Sequence, residues 1–164
     1  MKFRITSSMR NFLYLLVIPA LLSGCINQRD PSVNPEKANE VMFTAIQQVG
    51  KPYRYGGSSP TTGFDCSGLI DYVYYESIGM KLPRTTKELK AMPGPSIDKK
   101  DLQSGDLVIF GTGRNRKVDH AGIYVGQGRF VHAPSSGGKV RLDKMNDDYW
   151  RRSFLSGKRP LINY

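Results

Sequence analysis

The chain has 164 residues, enough for one domain with a real core, and its 24 lysines and arginines against 14 acidic residues give a net charge of +10. A basic chain can favour an anionic polymer, lipid headgroups or nucleic acid. Its basic residues are scattered and not interleaved with aromatics as a base-stacking platform would need, which argues against nucleic acid.

Lys2, Arg4 and Arg10 make a positive start, and Phe12 to Leu22 is an apolar run of 11 residues. A bilayer-spanning helix needs about 20 residues. The run has the length of a secretory signal core instead. Leu22-Ser23-Gly24-Cys25 resembles the lipobox of bacterial lipoproteins, which implies cleavage after residue 24 and a lipid on Cys25. Three segments follow: a signal over 1–24, a lipidated N-terminus and tether over 25–35, and a domain over 36–164. Without residues 1–24 the chain keeps 21 basic against 14 acidic residues, or +7. Export also speaks against nucleic acid. Only two cysteines occur, so with Cys25 lipidated Cys66 is a lone thiol in an oxidising compartment.

Asn34-Pro35-Glu36 reads as a helix start, and apolar residues from Ala38 to Val49 recur at helical spacing up to Gly50. A turn-rich stretch from Gly56 to Gly63 leads to Asp65, a good cap, so Cys66 falls in the first turn of a helix running to about Ser77. Unpaired N–H groups and the helix dipole there favour a thiolate. A small buried cysteine is the other reading. Thr85 or Thr86 caps a short helix to Met92. Beyond Pro95 the period changes to that of strands: Asp106 to Phe110, His120 to Val125, Arg129 to Ala133, and Val140 to Leu142, with Gly157 to Ile162 closing the sheet. Helices first and strands afterwards predict an α+β domain with an antiparallel sheet.

His120 and His132, the only histidines, lie on the two arms of the hairpin around Gly126-Gln127-Gly128. A three-residue loop sets His132 opposite Gly122, so the histidines are diagonal neighbours on one face, about 7–8 Å apart at the backbone. A two-residue loop puts them on opposite faces. Cysteine, a base and a group orienting that base are the parts of a nucleophilic acyl-transfer site. Packed histidines and a zinc site remain as alternatives, although no short metal-ligand spacing is present.

Six pieces in order carry a family resemblance: Tyr53-Arg54-Tyr55-Gly56-Gly57, Asp65-Cys66-Ser67-Gly68-Leu69, Leu82-Pro83-Arg84-Thr85, Gly105-Asp106-Leu107-Val108, His120 to Gly126, and Phe130-Val131-His132-Ala133. Together they resemble the NlpC-type cell-wall peptidases, bacterial cysteine hydrolases with a papain-like fold, and most closely the small lipoprotein members of Gram-negative envelopes. The resemblance implies Cys66 as nucleophile, His120 as base, His132 as third polar residue and the Tyr53 hydroxyl at the oxyanion site. The cysteine and histidines themselves predict a thiolate–imidazolium pair; the resemblance implies no cofactor, and peptidoglycan stem peptides as substrate. Asp65 and Ser67 correspond to residues that bind a stem-peptide amine in some relatives, but capping explains Asp65 more simply, and Arg84 reads as structural. The spacer between Gly57 and Asp65 is a residue longer than in close relatives. A monomer anchored by its lipid to the outer membrane, facing the periplasm, is expected. The other functions the same residues allow are a non-catalytic wall-binding lipoprotein and an amidase or acyltransferase.

Overall fold

The computed structural model describes residues 33–161. The signal segment and Cys25 lie outside the described residues. Helix α1, Pro35–Gln47, starts where Asn34 Oδ1 accepts the Glu36 and Lys37 N–H groups and proline opens the first turn. Its Ala38, Val41 and Ala45 are buried. Strands β1, Ser58–Ser59, and β2, Gly63–Phe64, form a minimal antiparallel pair that delivers the chain to helix α2, Cys66–Ile78. Asp65 caps α2 through Gly68 N–H, and Gly79 ends it in the left-handed conformation at φ 71°. Thr85 caps α3, Thr86–Ala91.

The main sheet contains β3, Leu107–Phe110; β4, His120–Gly126; β5, Arg129–His132; β6, Arg141–Lys144; and β7, Phe154–Lys158. Its order is β6-β5-β4-β3-β7, antiparallel throughout. The stretch Tyr149 to Phe154 is mostly helix: α4, Asp148–Ser153, runs directly into β7.

The period-two alternation of the strands divides the interior into two clusters. Leu107, Ile109, Ala121, Ile123 and Val131 join Leu69, Ile70, Val73 and Tyr74 of α2 and Val41 and Ala45 of α1. Val108, Phe110 and Phe130 point the other way, onto Met145 and Trp150. The domain is therefore α+β, with helices on one sheet face and the α4 segment on the other.

The hairpin carrying both histidines reaches the expected register by an unexpected route. Its turn is two residues, Gln127 (φ 52°) and Gly128 (φ 68°), between paired Gly126 and Arg129. Positive φ at both turn positions matches the twist of a tight hairpin. A bulge between Tyr124 and Gly126 then restores the missing residue, so that Tyr124 faces Phe130 and Ile123 faces Val131. Continuing this register sets Gly122 opposite His132. A side chain at Gly122 would meet Phe130 Cδ2 and the Val131 carbonyl at 2.8 Å and His132 Cβ at 3.1 Å, so only glycine lets the strands close here.

Candidate active site

Cys66 opens α2, and α2 packs against β4. Gly68, one turn into the helix, allows the preceding loop to approach: a Cβ there would lie 2.0 Å from the Gly57 carbonyl oxygen and 2.7 Å from the Arg84 guanidinium. The thiol is half-buried, and its pKa is raised, first by that burial and then by the Asp65 carboxylate. The N–H groups of Ala121, Ser67 and Cys66 oppose the shift without overcoming it. The Ala121 contact sets the thiol beside the start of β4, immediately next to His120.

His120 and His132 are brought together as the register requires. His120 Nε2 lies 2.9 Å from His132 Nδ1, with the rings edge to face. Burial first, and the neighbouring His132 second, lower the pKa of His120 to about 3, against Asp119 and Asp143. Burial likewise lowers His132 to about 4, against Asp143. Trp150 stacks on His120 at 5.5 Å and meets His132 edge-on at 4.8 Å, while Phe130 covers the other side of His132 at 4.7 Å. Burial thus works against the expected thiolate–imidazolium pair on both partners: it raises the thiol, lowers the imidazole, and outweighs the dipole and N–H effects read from the helix start.

A fourth residue, absent from the sequence reading, adjoins the pair. His132 Nε2 lies 3.1 Å from Asp143 Oδ2. The approach is oblique, and the buried Nε2 has no better-aligned partner. Asp143 also accepts from Trp150 Nε1 at 3.0 Å and from Arg141 Nε and Nη2 at 2.9–3.2 Å. Burial raises its carboxyl, but the bonds from Trp150 and Arg141 and the nearby His132 outweigh that and hold it below the usual range.

Tyr53 is half-buried near the nucleophile, and its phenol is raised by burial and by the charges of Cys66 and Asp65. Asp65 is used within the chain: Oδ1 accepts from Gly68 N–H at 2.6 Å and pairs with Arg84 at 3.3 Å, and Oδ2 accepts from Gly56 N–H at 3.0 Å. Ser67 Oγ donates to the Arg84 carbonyl at 2.6 Å. These contacts agree with a capping role for Asp65 and a structural one for Arg84. A cavity of about 680 Å³ opens on the histidine side, walled by His120, His132, Arg141, Asp143, Tyr149 and Trp150. Among the described residues no group of three or more His, Cys, Asp or Glu side chains is arranged to hold a metal ion.

A helix-borne cysteine set against an antiparallel sheet that presents paired histidines defines a papain-like α+β domain. Residues 50–159 match the model of the NlpC/P60 family, and the chain belongs to that family. It is 42% identical over 128 residues to the murein DD-endopeptidase MepH of Escherichia coli K12, covering 77% of this chain and 47% of MepH. It is 35% identical over 154 residues to the probable endopeptidase NlpC of the same strain, covering 90% of this chain and 98% of NlpC. The chain thus spans about half of MepH and nearly all of NlpC. Among solved structures, an NlpC/P60 family protein from Bacillus cereus superposes with a TM-score of 0.67 at 31% identity, over 76% of this chain and 40% of that one.

Proposed function

We propose that the chain is a peptidoglycan endopeptidase that hydrolyses an amide bond in cell-wall stem peptides or their crosslinks through an acyl-enzyme on Cys66. The observation that carries this reading is the 2.9 Å contact between His120, at the start of β4, and His132, at the end of β5, beside the half-buried thiol at the start of α2. The names of the relatives, a murein DD-endopeptidase and a probable endopeptidase, support it.

In this mechanism His120 engages His132 through Nε2, which leaves Nδ1 for the thiol. As Sγ attacks the amide carbonyl, its proton passes to His120. The N–H groups at the start of α2 and the Tyr53 hydroxyl are candidate donors to the oxyanion. The His120 imidazolium then protonates the leaving amine, the amide C–N bond breaks, and a thioester remains. Water, deprotonated by the same histidine, releases the acid. The cavity lies on the histidine side and is the natural place for the leaving amine fragment. A volume of about 680 Å³ is within the usual range for ligand sites. The +7 of residues 25–164 suits a polymer whose stems carry carboxylates. We further propose a lipid on Cys25 as the tether to the envelope, with outer-membrane placement and a monomeric state. The lipobox-like Leu22-Ser23-Gly24-Cys25 supports the lipid.

The test is mass spectrometry of purified peptidoglycan incubated with the chain and with Cys66→Ala. New stem fragments that vanish in the variant support the proposal, and their masses identify the bond. Unchanged peptidoglycan that both proteins still bind overturns hydrolysis in favour of a wall-binding role.

A further inference from the structure

Resting on the reading that the histidines serve the Cys66 thiol, we propose that Asp143 is a positioning residue that fixes the tautomers of both histidines and so leaves His120 Nδ1 bare for the nucleophile. The register of β5 and β6 pairs Phe130 with Asp143 and His132 with Arg141, which makes Asp143 a diagonal neighbour of His132 on the same face. An ionised carboxylate has only lone pairs to offer. The ring nitrogen facing it at 3.1 Å, His132 Nε2, is therefore the one that carries the proton. A neutral ring has one N–H, so His132 Nδ1 has a lone pair and accepts at 2.9 Å from His120 Nε2–H. That proton in turn empties His120 Nδ1. Two contacts thus transmit the polarity of one carboxylate to the base. When the imidazolium forms at His120, the same line of contacts faces a negative charge and stabilises it.

Asp143 is equipped for this. It is held by both chelating nitrogens of Arg141 and by the Trp150 indole N–H, and Trp150 also stacks on the His120 ring. Oδ2, the oxygen nearest His132, is the one that accepts from Trp150, so the indole aims it. An asparagine cannot reproduce the arrangement. With its NH2 at the Oδ2 position it presents donors to the indole N–H and to His132 Nε2, and with NH2 at the Oδ1 position it faces the Arg141 guanidinium.

The experiment is long-range 1H–15N correlation NMR of the 15N-histidine-labelled full chain near pH 7, where only two imidazoles contribute. We expect both rings neutral and protonated at Nε2. In Asp143→Asn at least one ring should shift to the Nδ1–H form, with kcat down roughly 10- to 1000-fold and KM within about 3-fold. In Asp143→Ala, added formate should refill the site from the adjoining cavity and restore kcat several-fold, where chloride at equal ionic strength should not. An Nδ1–H ring in the wild type overturns the proposal, as does an Asp143→Asn protein that keeps both tautomers and its kcat. Should Asp143→Asn fail to fold, the wild-type spectrum and the formate response of Asp143→Ala decide. Tautomers that follow Asp143 in a chain that cleaves no peptidoglycan would uphold the positioning role and overturn the hydrolase reading alone.

Discussion

Acidification from pH 7 to pH 5 should cost this protein an amount of stability set by its two histidines. His120 and His132 are held at about 3 and about 4 in the folded chain, chiefly by burial. Unfolded, each returns to about 6.5. The unfolded state then binds more protons in this interval, so stability falls as pH falls, from about 6.5 downward until the folded pKa values are reached. With both rings neutral in the folded state, each loses about 1.9 kcal/mol between pH 7 and 5, together about 4 kcal/mol. Asp143, held below the usual range, releases stability only at lower pH. Asp106, raised by burial, works in the opposite direction and can only lessen the loss. Urea unfolding at pH 7, 6 and 5 measures the effect, with a His120→Gln/His132→Gln variant as the control that lacks the histidine contribution. A loss of about 2 kcal/mol would mean that one ring gains a proton in the folded chain while the thiol keeps its own; a resting thiolate–imidazolium pair binds the same number of protons as the neutral pair and so gives the same loss. A loss below about 1 kcal/mol would refute the neutral pair altogether.

Gly122→Ala should destabilise the fold by about 1–3 kcal/mol. The 2.8 Å clash with the Val131 carbonyl is with backbone, so the strands must part, and hydrolysis should fall with the urea midpoint as the histidine pair is disturbed. Asp106→Asn should cost about 3–5 kcal/mol, read as a drop in unfolding midpoint. The fully buried carboxylate accepts two Arg159 bonds at 2.9 Å and the Gln103 N–H at 2.8 Å, and the neutral amide puts an NH2 group where one of these donors points.

Local signals in the sequence were enough for the helices. The Asn34, Asp65 and Thr85 caps each begin a helix within one residue, because capping depends on the few residues that supply it. The diagonal placement of the histidines was also legible, although the loop-length rule alone would have misled: a two-residue turn predicts opposite faces, and the bulge beside Gly126 reverses that outcome. Bulges depend on how a strand meets its neighbours and have no short sequence signature beyond a glycine with positive φ. Asp143 was missed because the strand was expected to end at Leu142, whereas β6 runs to Lys144. The signal that could have found it is spacing: one residue past the expected strand end, it falls on the face of His132 once that strand pairs with β5. Trp150 carries no local signal for the site, and only the return of α4 over the sheet brings it onto both rings.

The sign of the thiol shift failed for a related reason. A helix start lowers a cysteine pKa through groups within one turn, which sequence reveals, while the loss of water comes from β4 and the surrounding loops, which it does not. Here the second effect prevails, and Asp65, the residue that caps the helix, adds its own negative charge to the first position. The consequence is measurable by alkylation. The rate of iodoacetamide reaction with Cys66 should rise with a midpoint above the ordinary thiol range of about 8.5, and at pH 7 it should be slower than that of an unperturbed cysteine. Mass spectrometry of the full chain after timed quenching gives the rate, with Cys66→Ala correcting for reaction at other sites. A midpoint below pH 7 would mean that imidazolium and thiolate coexist at rest and would refute the neutral pair. A high midpoint in a chain that still hydrolyses peptidoglycan would assign the N–H groups of Ala121, Ser67 and Cys66, and the carboxylate beyond His132, to stabilising charges that arise only as the thiol attacks.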